Sequence, residues 1–397
     1  MGIRGVPAQH GGFETFAARL APYLVQRGWR VTVYCQEDAL APTRSSDWHG
    51  VRRIHIGVGP DTAANSIRFD WACVRHALSE RPPLVLTLGY NTALFGVALR
   101  AAGIRNVINM DGIEWSRSKW GPLARAWLYL NDWAGCLVGD HLLADHPEIA
   151  RHLRRRTPAH KITMIPYGTD VEVDVAADAD AEPCADDAAR LAAFGLQPGR
   201  YSTLIARPEP ENSVLDIVRA FSAQRRGSTL LVLGNYAADK LPYHARVLAE
   251  ASDEVRFVGA LYDPALVAAL RRHALLYLHG HRVGGTNPSL LEAMGAGNAV
   301  IAHDNRFNRW VAADGAWYFR DGAGCAAALD ALLGNAAERA RMAAVNRRRA
   351  AAAFGWPAIL EQYESTLAAQ GARSAAAPAA HPSERLRAGA IDPRVKP

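Results

Sequence analysis

Short apolar runs typical of β-strands alternate with amphipathic helical stretches along this chain, and the alternation occurs twice. The predicted strands cover residues 31–35, 51–56, 84–88, 107–110 and 162–165 in the first half, and 201–206, 230–233, 255–258, 275–279, 299–302 and 317–319 in the second. Such alternation predicts a parallel sheet with helices on both faces. The 397 residues suit two domains of roughly 150 residues each. We therefore predict an α/β protein with two Rossmann-like, doubly wound domains facing a cleft.

Changes in composition place the domain boundaries. Residues 1–170 form the predicted N-terminal domain and residues 199–355 the C-terminal domain, and an acidic, alanine-rich linker at 171–198 joins them. A helix at 356–369 is expected to return to the N-terminal domain. The Ala- and Pro-rich residues 370–397 are expected to be disordered.

The start of the chain conflicts with this architecture. An open α/β domain needs a central first strand before its first glycine loop, and here three residues precede Arg4. The first strand is therefore missing from the sequence. We expect the native chain to start upstream by the length of a strand, about 5 to 6 residues.

The formal charge of +6 favours anionic partners: phosphorylated small molecules, anionic lipid headgroups or nucleic acids. The sequence carries no RNP, zinc-finger or homeodomain signature, so no nucleic acid partner is expected. A basic stretch contains Arg151, Arg154, Arg155 and Arg156. It predicts either peripheral contact with anionic lipid headgroups or an ordinary solvated helix end. Since no apolar leader or spanning segment is predicted, we expect a cytoplasmic protein, either free or at the inner face of the plasma membrane.

The most informative motif lies where a strand of the second half gives way to a helix. It contains His281, Gly284, Gly285, Thr286, Asn287, Pro288, Ser289 and Glu292. Asn287 suits a helix cap and Pro288 the first helical position. The paired glycines let the backbone approach a ligand, and free N–H groups with the helix dipole form an anion site that fits a diphosphate. Glu292, one turn inside the helix, could accept hydroxyl hydrogens from a ribose or sugar, and the alternative is an acid that stabilises the helix dipole.

Two further features point to a phosphate. Arg207 follows the predicted strand 201–206, so its guanidinium can reach phosphate oxygens and stabilise the charge of a leaving diphosphate. The alternative is a surface ion pair with Glu209 or Glu211. Gly11 and Gly12 form a second glycine loop at a helix start, which we expect to face the cleft from the other side.

The predicted acceptor side begins at Asp111, which follows the strand predicted at 107–110 and could orient an acceptor hydroxyl or take its proton. An Asx turn stabilised by Gly112 is the alternative. Glu114 and Trp115 belong to the same stretch and complete this side. A tryptophan here could stack on a sugar, although a core position is the alternative.

Taken together, four segments in this order resemble the rhamnosyltransferase-type branch of glycosyltransferase family 4: residues 2–16, 109–122, 206–212 and 279–294. The resemblance extends to about residue 365. It implies a GT-B architecture, no metal requirement, and transfer from a nucleotide sugar with retention of anomeric configuration. Two positions depart from the general family, although the branch shares both: Gly284 replaces a first acid, and Asn212 replaces a phosphate-binding lysine.

The same resemblance implies the roles of single residues. Arg207 is the expected diphosphate ligand, Glu292 the second acid of a Glu-x7-Glu element, and Gly11 with Gly12 the glycine loop near the phosphates. Asp111, predicted from its position after a strand, completes the catalytic set with Arg207 and Glu292. The residues expected to bind the donor are Gly11, Gly12, Arg207, Glu211, His281, Gly284, Gly285, Thr286, Asn287, Ser289 and Glu292.

These expectations combine into a retaining glycosyltransferase of bacterial surface polysaccharide synthesis. Its acceptor is a hydroxyl of a saccharide or a lipid-linked saccharide. The favoured donor is dTDP-rhamnose, with mannose or glucose on another nucleotide left open, and no cofactor beyond this co-substrate is expected. The alternatives are a non-catalytic nucleotide-sugar-binding subunit and a nucleotide-sugar epimerase on the same fold.

Overall fold

Two α/β domains account for the described part of the chain, which in this computed structural model comprises residues 1–8, 11–117, 119–171 and 184–376. The N-terminal domain contains strands β1 (Thr32–Glu37), β2 (Arg44–Trp48), β3 (Val51–Gly57), β4 (Leu84–Leu88), β5 (Arg105–Asn109), β6 (His141–Ala144) and β7 (Ile162–Met164). Its helices are α1 (Gly12–Gln26), α2 (Ala63–Glu80), α3 (Gly96–Ala101), α4 (Pro122–Val138) and α5 (Pro147–Leu153).

The strands of the N-terminal domain form two sheets. One has the order β1-β3-β2 with β2 antiparallel, and the other is parallel with the order β4-β5-β6-β7. The sequence predicted five of these strands and missed β2 and β6. Because β2 is polar and β6 has only 4 residues, neither shows a clear strand pattern.

The first residues of the chain lie between the two sheets. The amino group of Met1 donates to the Leu86 carbonyl (2.8 Å), and the Leu88 N–H donates to the Met1 carbonyl (2.9 Å). On the other side, the Gln36 N–H donates to the Arg4 carbonyl (2.7 Å). Residues 1–4 thus bridge β1 and β4, where a central strand is expected, although no strand is assigned to residues 1–8.

The C-terminal domain is built on one parallel sheet of 6 strands in the order β10-β9-β8-β11-β12-β13. The strands are β8 (Tyr201–Ile205), β9 (Thr229–Leu233), β10 (Val255–Phe257), β11 (Leu276–His279), β12 (Ala299–His303) and β13 (Ala316–Phe319). The helices are α6 (Ala185–Ala192), α7 (Val214–Ser222), α8 (Pro242–Ala249), α9 (Pro264–Arg272), α10 (Pro288–Gly295), α11 (Arg306–Ala312), α12 (Gly322–Leu333) and α13 (Ala336–Phe354). All the strands predicted for this half are confirmed. The central ones, β9, β8, β11 and β12, are buried on both faces and stand out as apolar runs.

The predicted linker at 171–198 includes residues 172–183, which lie outside the described part. Its remaining portion is not a linker. Leu191 of α6 is 1% exposed and shares a core with Tyr201, and the Asp187 carboxylate is 3.0 Å from His273 after α9. The C-terminal domain therefore includes α6.

The last described helix, α14 (Trp356–Ala376), packs on the N-terminal domain. Its buried side chains share one core with Phe16 and other residues of α1; they are Trp356, Ile359, Leu360, Tyr363 and Leu367. Asn109 at the end of β5 donates from Nδ2 to the Tyr363 hydroxyl at 2.8 Å. This spacing of apolar residues is that of one helical face.

The disorder expected from residue 370 is wrong for its first residues, since α14 continues to Ala376. Gln370 is buried, and its Oε1 accepts a hydrogen bond of 2.9 Å from Arg105 in β5. This contact anchors the end of the helix, and residues 377–397 lie outside the described part. No helix in the described residues is long and apolar enough to span a bilayer.

The α14 interface gives a stability prediction. Ile359 is 1% exposed, so Ile359→Ala leaves a cavity between α14 and the N-terminal domain and should lower the free energy of unfolding by about 2–5 kcal/mol. Urea titration followed by tryptophan fluorescence measures the shift. Gln362→Ala, on the exposed side of the same helix, is the control and should leave the midpoint unchanged. Equal midpoints for both variants would show that α14 does not stabilise the N-terminal domain.

Candidate functional site

The C-terminal ends of β8 and β11 lie side by side, because these strands are neighbours in the parallel sheet. Arg207 follows β8 and is exposed, and His281 follows β11. Burial, with the positive charges of Arg117 and Arg207, lowers the pKa of His281 to about 3. Within the described residues, Arg207 forms an ion pair with neither Glu209 nor Glu211, and Glu211 pairs with Arg117 instead. The guanidinium of Arg207 therefore lies at the strand edge without a carboxylate partner from this part of the chain.

The loop before α10, residues 284–287, is termed the α10 loop. As predicted, Asn287 caps the helix: its Oδ1 accepts hydrogen bonds from the N–H and the hydroxyl of Ser289, at 3.1 and 2.8 Å. Pro288 is the first helical residue. The Ser289 hydroxyl also accepts from Tyr277 in β11 at 2.8 Å, which fixes the helix to the sheet. Gly284 has φ +139°, a conformation that residues with a side chain rarely adopt.

Two glycine-bearing loops of the N-terminal domain meet the α10 loop. A Cβ placed on Gly12 would lie 3.0 Å from Cγ of Pro288, and one placed on Gly112 would lie 3.7 Å from Cα of Gly284. Gly11 is the cap residue of α1. The absence of side chains lets the two backbones approach across the cleft.

A third contact comes from Asp145, which follows β6. Its Oδ2 accepts from the Thr286 N–H at 2.9 Å, and its carbonyl accepts from the Thr286 hydroxyl at 3.2 Å. A Cβ on Gly285 would lie 2.0 Å from Oδ2, so this position also requires glycine. Asp145 was not predicted from the sequence. The available signal was a short apolar run that ends at an aspartate, as at Asp111.

Both aspartates of the N-terminal side are poorly solvated. Burial and the nearby Asp111 raise the pKa of Asp145 to about 8, against the lowering effect of Thr286. Burial and Glu114 likewise raise the pKa of Asp111. Asp111 has φ +47°, a left-handed conformation that aspartate tolerates better than most residues, and its N–H donates to Oδ1 of Asn109 at 3.0 Å. With a pKa of about 8, Asp145 keeps its proton near neutral pH.

The Glu114 carboxylate is paired with three donors of its own domain. Its carboxylate accepts from Arg117 (2.8 Å), Lys119 (3.0 Å) and the Trp120 indole (2.9 Å). Burial acts to raise the pKa of Glu114, but Arg117 and Lys119 hold it below its usual value. Arg117 also reaches Glu211 of the C-terminal domain at 3.2 Å. Arg117 thus connects the predicted acceptor-side and donor-side carboxylates.

Trp115 contacts helices of its own domain. Its indole N–H donates to Asp132 of α4 at 2.7 Å, and its ring packs edge-on against Tyr129 with centroids 5.2 Å apart. His152 of α5 also lies beside the ring. These contacts match the core alternative better than a sugar-stacking position.

A cavity of about 430 Å³ lies beside α10 and between the domains. Gly11, Thr15 and Arg19 line it from one side, and Arg271 and Glu292 from the other. The Glu292 carboxylate is 2.5 Å from Arg271, which is 7% exposed, so the carboxylate is held at the cavity wall. The volume is in the range of small-molecule sites.

Family models match both halves of the chain. Residues 1–170 match a domain of unknown function, DUF1972, and residues 215–365 match a model described as glycosyl transferase-like. The first match contains Gly12, Asp111 and Asp145, and the second contains the α10 loop and Glu292. Arg207 lies outside both. No curated protein matches this chain in sequence.

Solved structures with the same two-domain arrangement include sucrose-phosphate synthase from Thermosynechococcus elongatus, at 18% identity and a TM-score of 0.75 over 91% of this chain and 94% of that one. Anabaena HepE in complex with UDP-glucose is 14% identical, with a TM-score of 0.71 over 91% and 97%. An α,α-trehalose-phosphate synthase (UDP-forming) from Burkholderia vietnamiensis is also 14% identical, with a TM-score of 0.65 over 89% and 97%. The fold is GT-B. Together, this fold and the glycosyl transferase-like model support a glycosyltransferase.

The raised pKa of Asp145 predicts a pH dependence of stability. Between an unfolded-state pKa of about 4 and the folded value of about 8, the folded chain keeps a proton that the unfolded chain has released, so stability falls as pH rises. Asp145→Asn removes this group. The melting temperature of the unchanged protein should therefore fall more steeply from about pH 6 to about pH 8.5 than that of the variant.

The matched control is Asp140→Asn at the start of β6, where the Asp140 carboxylate accepts from the Asn106 N–H at 2.8 Å. This variant keeps Asp145 and should show the unchanged slope. Calorimetric melting at several pH values measures all three proteins. Identical slopes for all of them would contradict a protonated Asp145.

Proposed function

We propose that this chain is a retaining glycosyltransferase that moves a sugar from a nucleoside diphosphate to a hydroxyl of a saccharide or lipid-linked saccharide acceptor. The observation that carries the proposal is the meeting of three N-terminal loops with the start of α10, beside a cavity that contains Glu292. The resemblance to the rhamnosyltransferase-type branch of family 4 supports rhamnose as the sugar, dTDP-rhamnose as the donor, and a role in bacterial surface polysaccharide synthesis.

The donor lies along α10 in this proposal. The nucleoside occupies the cavity, with ribose hydroxyls donating to Glu292, whose carboxylate Arg271 orients. The diphosphate follows at the α10 loop, where the backbone N–H groups and the helix dipole favour an anion. Arg207, at the neighbouring strand end, supplies the fixed positive charge.

Transfer then requires no protein nucleophile. The acceptor oxygen attacks the anomeric carbon from the face that the diphosphate leaves, so one C–O bond forms as the bond to the phosphate oxygen breaks. The released phosphate oxygen takes the acceptor proton. Arg207 and the start of α10 stabilise the departing charge, and such interactions accelerate the step because they strengthen as the charge grows.

Asp111 orients the acceptor hydroxyl in this mechanism. It lies at the C-terminal end of β5, next to Gly112, where an added Cβ would lie 3.7 Å from Cα of Gly284 in the opposite domain. Burial raises the pKa of Asp111, and its carboxyl oxygens can accept a hydrogen bond from a hydroxyl.

A donor screen and one variant test the proposal. Nucleotide sugars are ranked by thermal stabilisation of the protein, because a ligand that binds only the folded state raises its melting temperature. The best donor is then assayed with lipid-linked saccharides in the presence of EDTA, which also tests the expectation that no metal is needed. Arg207→Ala should lower turnover by about one to three orders of magnitude.

The matched control is Arg219→Ala, since Arg219 pairs with Glu250 on the surface of α7 and should leave transfer unchanged. Undiminished transfer by the Arg207 variant would remove this residue from the mechanism. A sugar altered without acceptor would identify an epimerase, and donor binding without turnover would identify a binding subunit.

We also propose that the N-terminal domain contacts a membrane through α4, in agreement with a lipid-linked acceptor at the inner face of the plasma membrane. Leu123, Leu130 and Leu137 are 88, 50 and 64% exposed and recur every seventh residue, which places them on one face of α4. Arg154 and Arg155 near the end of α5 are exposed and attract anionic headgroups.

The other two arginines of the basic stretch are engaged. Arg151 pairs with Glu148, and Arg156 is bonded to Asp132 while its guanidinium lies 4.8 Å from the centre of the Trp133 ring. Membrane contact therefore involves half of the predicted arginines together with the leucine face.

Flotation with vesicles tests this contact. The triple variant Leu123→Ser, Leu130→Ser, Leu137→Ser should bind phosphatidylglycerol-containing vesicles at least about tenfold more weakly, because each leucine buried in lipid contributes about 1.5–3 kcal/mol. Leu241→Ser, which changes an exposed leucine of the C-terminal domain, is the control. Equal binding of the two proteins would exclude α4 as the contact.

A further inference from the structure

One carboxyl oxygen at the cleft is buried without a partner. Asp145 uses Oδ2 to accept from the Thr286 N–H, whereas Oδ1 has no hydrogen bond within the described residues and no contact with solvent. A buried polar oxygen of this kind costs free energy unless a ligand or water supplies its partner. The orphaned oxygen is therefore a candidate ligand contact.

The surroundings of Asp145 place this contact along the proposed donor path. Its carboxyl lies against Gly285. A Cβ placed on Gly112, the neighbour of Asp111, would lie 3.7 Å from Cα of the adjacent Gly284. The cavity lies at the other end of this path. Glu292, which lines the cavity, is one helical turn inside α10. Asp145 is bonded to the α10 loop itself. With the nucleoside in that cavity and the diphosphate at the α10 loop, Asp145 lies beside the diphosphate position, where the attached sugar meets the N-terminal domain.

We infer that Asp145 is a sugar-binding residue, which contacts a hydroxyl of the transferred sugar through Oδ1 and reaches the donor from the N-terminal domain. The inference rests on the proposed function and specifies the part of the donor that this side chain contacts. Sugar hydroxyls both donate and accept hydrogen bonds, so they can pair with the orphaned oxygen in either protonation state of the carboxyl.

The electrostatics of the site agree with a sugar rather than a second phosphate. The raised pKa of Asp145 means that the group is uncharged near neutral pH, so it tolerates a diphosphate at the neighbouring N–H groups. A permanently charged aspartate would repel that diphosphate. The hydrogen bond to Thr286 fixes the direction of the carboxyl, which gives the contact its selectivity.

Calorimetric titration of the full chain with matched ligand pairs tests the inference: dTDP against dTDP-rhamnose, and UDP against UDP-glucose. Asp145→Ala should weaken binding of the nucleotide sugar by about 10- to 100-fold, the effect of losing one hydrogen bond to a carboxyl. Its affinity for the nucleoside diphosphate alone should stay within about twofold, because in the proposed function Arg207 and the glycine N–H groups hold the diphosphate and the uncharged carboxyl does not. Asp145→Asn keeps the size of the side chain and an acceptor for Thr286, so it should recover part of the sugar affinity.

Asp140→Ala is the matched control at the other end of β6 and should change neither affinity. An Asp145→Ala protein that loses both ligands in parallel would show a structural role for Asp145 and overturn the inference. So would unchanged affinity for the nucleotide sugar, or tighter binding of the nucleoside diphosphate, which would identify the carboxyl as an occupant of the phosphate position. Failure of the proposed function is distinguishable, because the unchanged protein would then bind neither member of either pair, or would bind the nucleotide sugar without transferring it to an acceptor.

Discussion

The close approach of two backbones at the start of α10 is the constraint on which the cleft depends. A Cβ on Gly285 would lie 2.0 Å from Asp145 and one on Gly12 would lie 3.0 Å from Pro288, each an atom of the opposite domain. Gly284 has a φ of +139°. Two N–H groups at the helix start are already engaged, that of Thr286 by Asp145 and that of Ser289 by Asn287. In the proposed function, the N–H groups of Gly284 and Gly285 therefore supply the backbone contacts to an anion between the domains.

Carboxyl groups near the cleft are buried, and the neighbours of each group decide whether it is charged near neutral pH. Glu114 has cationic neighbours, so its pKa is lowered despite burial. Asp145 has no cation among the groups that shift its pKa, so burial raises it. Two acids on the same domain thus differ in charge near neutral pH, and only the uncharged one touches the α10 loop.

The C-terminal half of the fold was predictable from the sequence to within a few residues. Its central strands are apolar throughout, and the Asn287 and Pro288 pair marks the beginning of α10. The sequence also pointed to Arg207, Asp111 and Glu292, because each follows a strand or begins a helix where ligands of open sheets bind. The short strand β6 has no such pattern, and Asp145 was missed with it.

The sequence alone determined the two-domain α/β class, the order of most strands along the chain and the capped helix start, because these depend on local periodicity and on residues adjacent in the chain. Only the tertiary structure decided which side chains meet across the cleft. Asp145 and Thr286 are bonded although 141 residues apart in sequence, and Arg117 reaches Glu211 over 94. Long-range pairs of this kind are set by how two folded domains pack, and no local pattern encodes them.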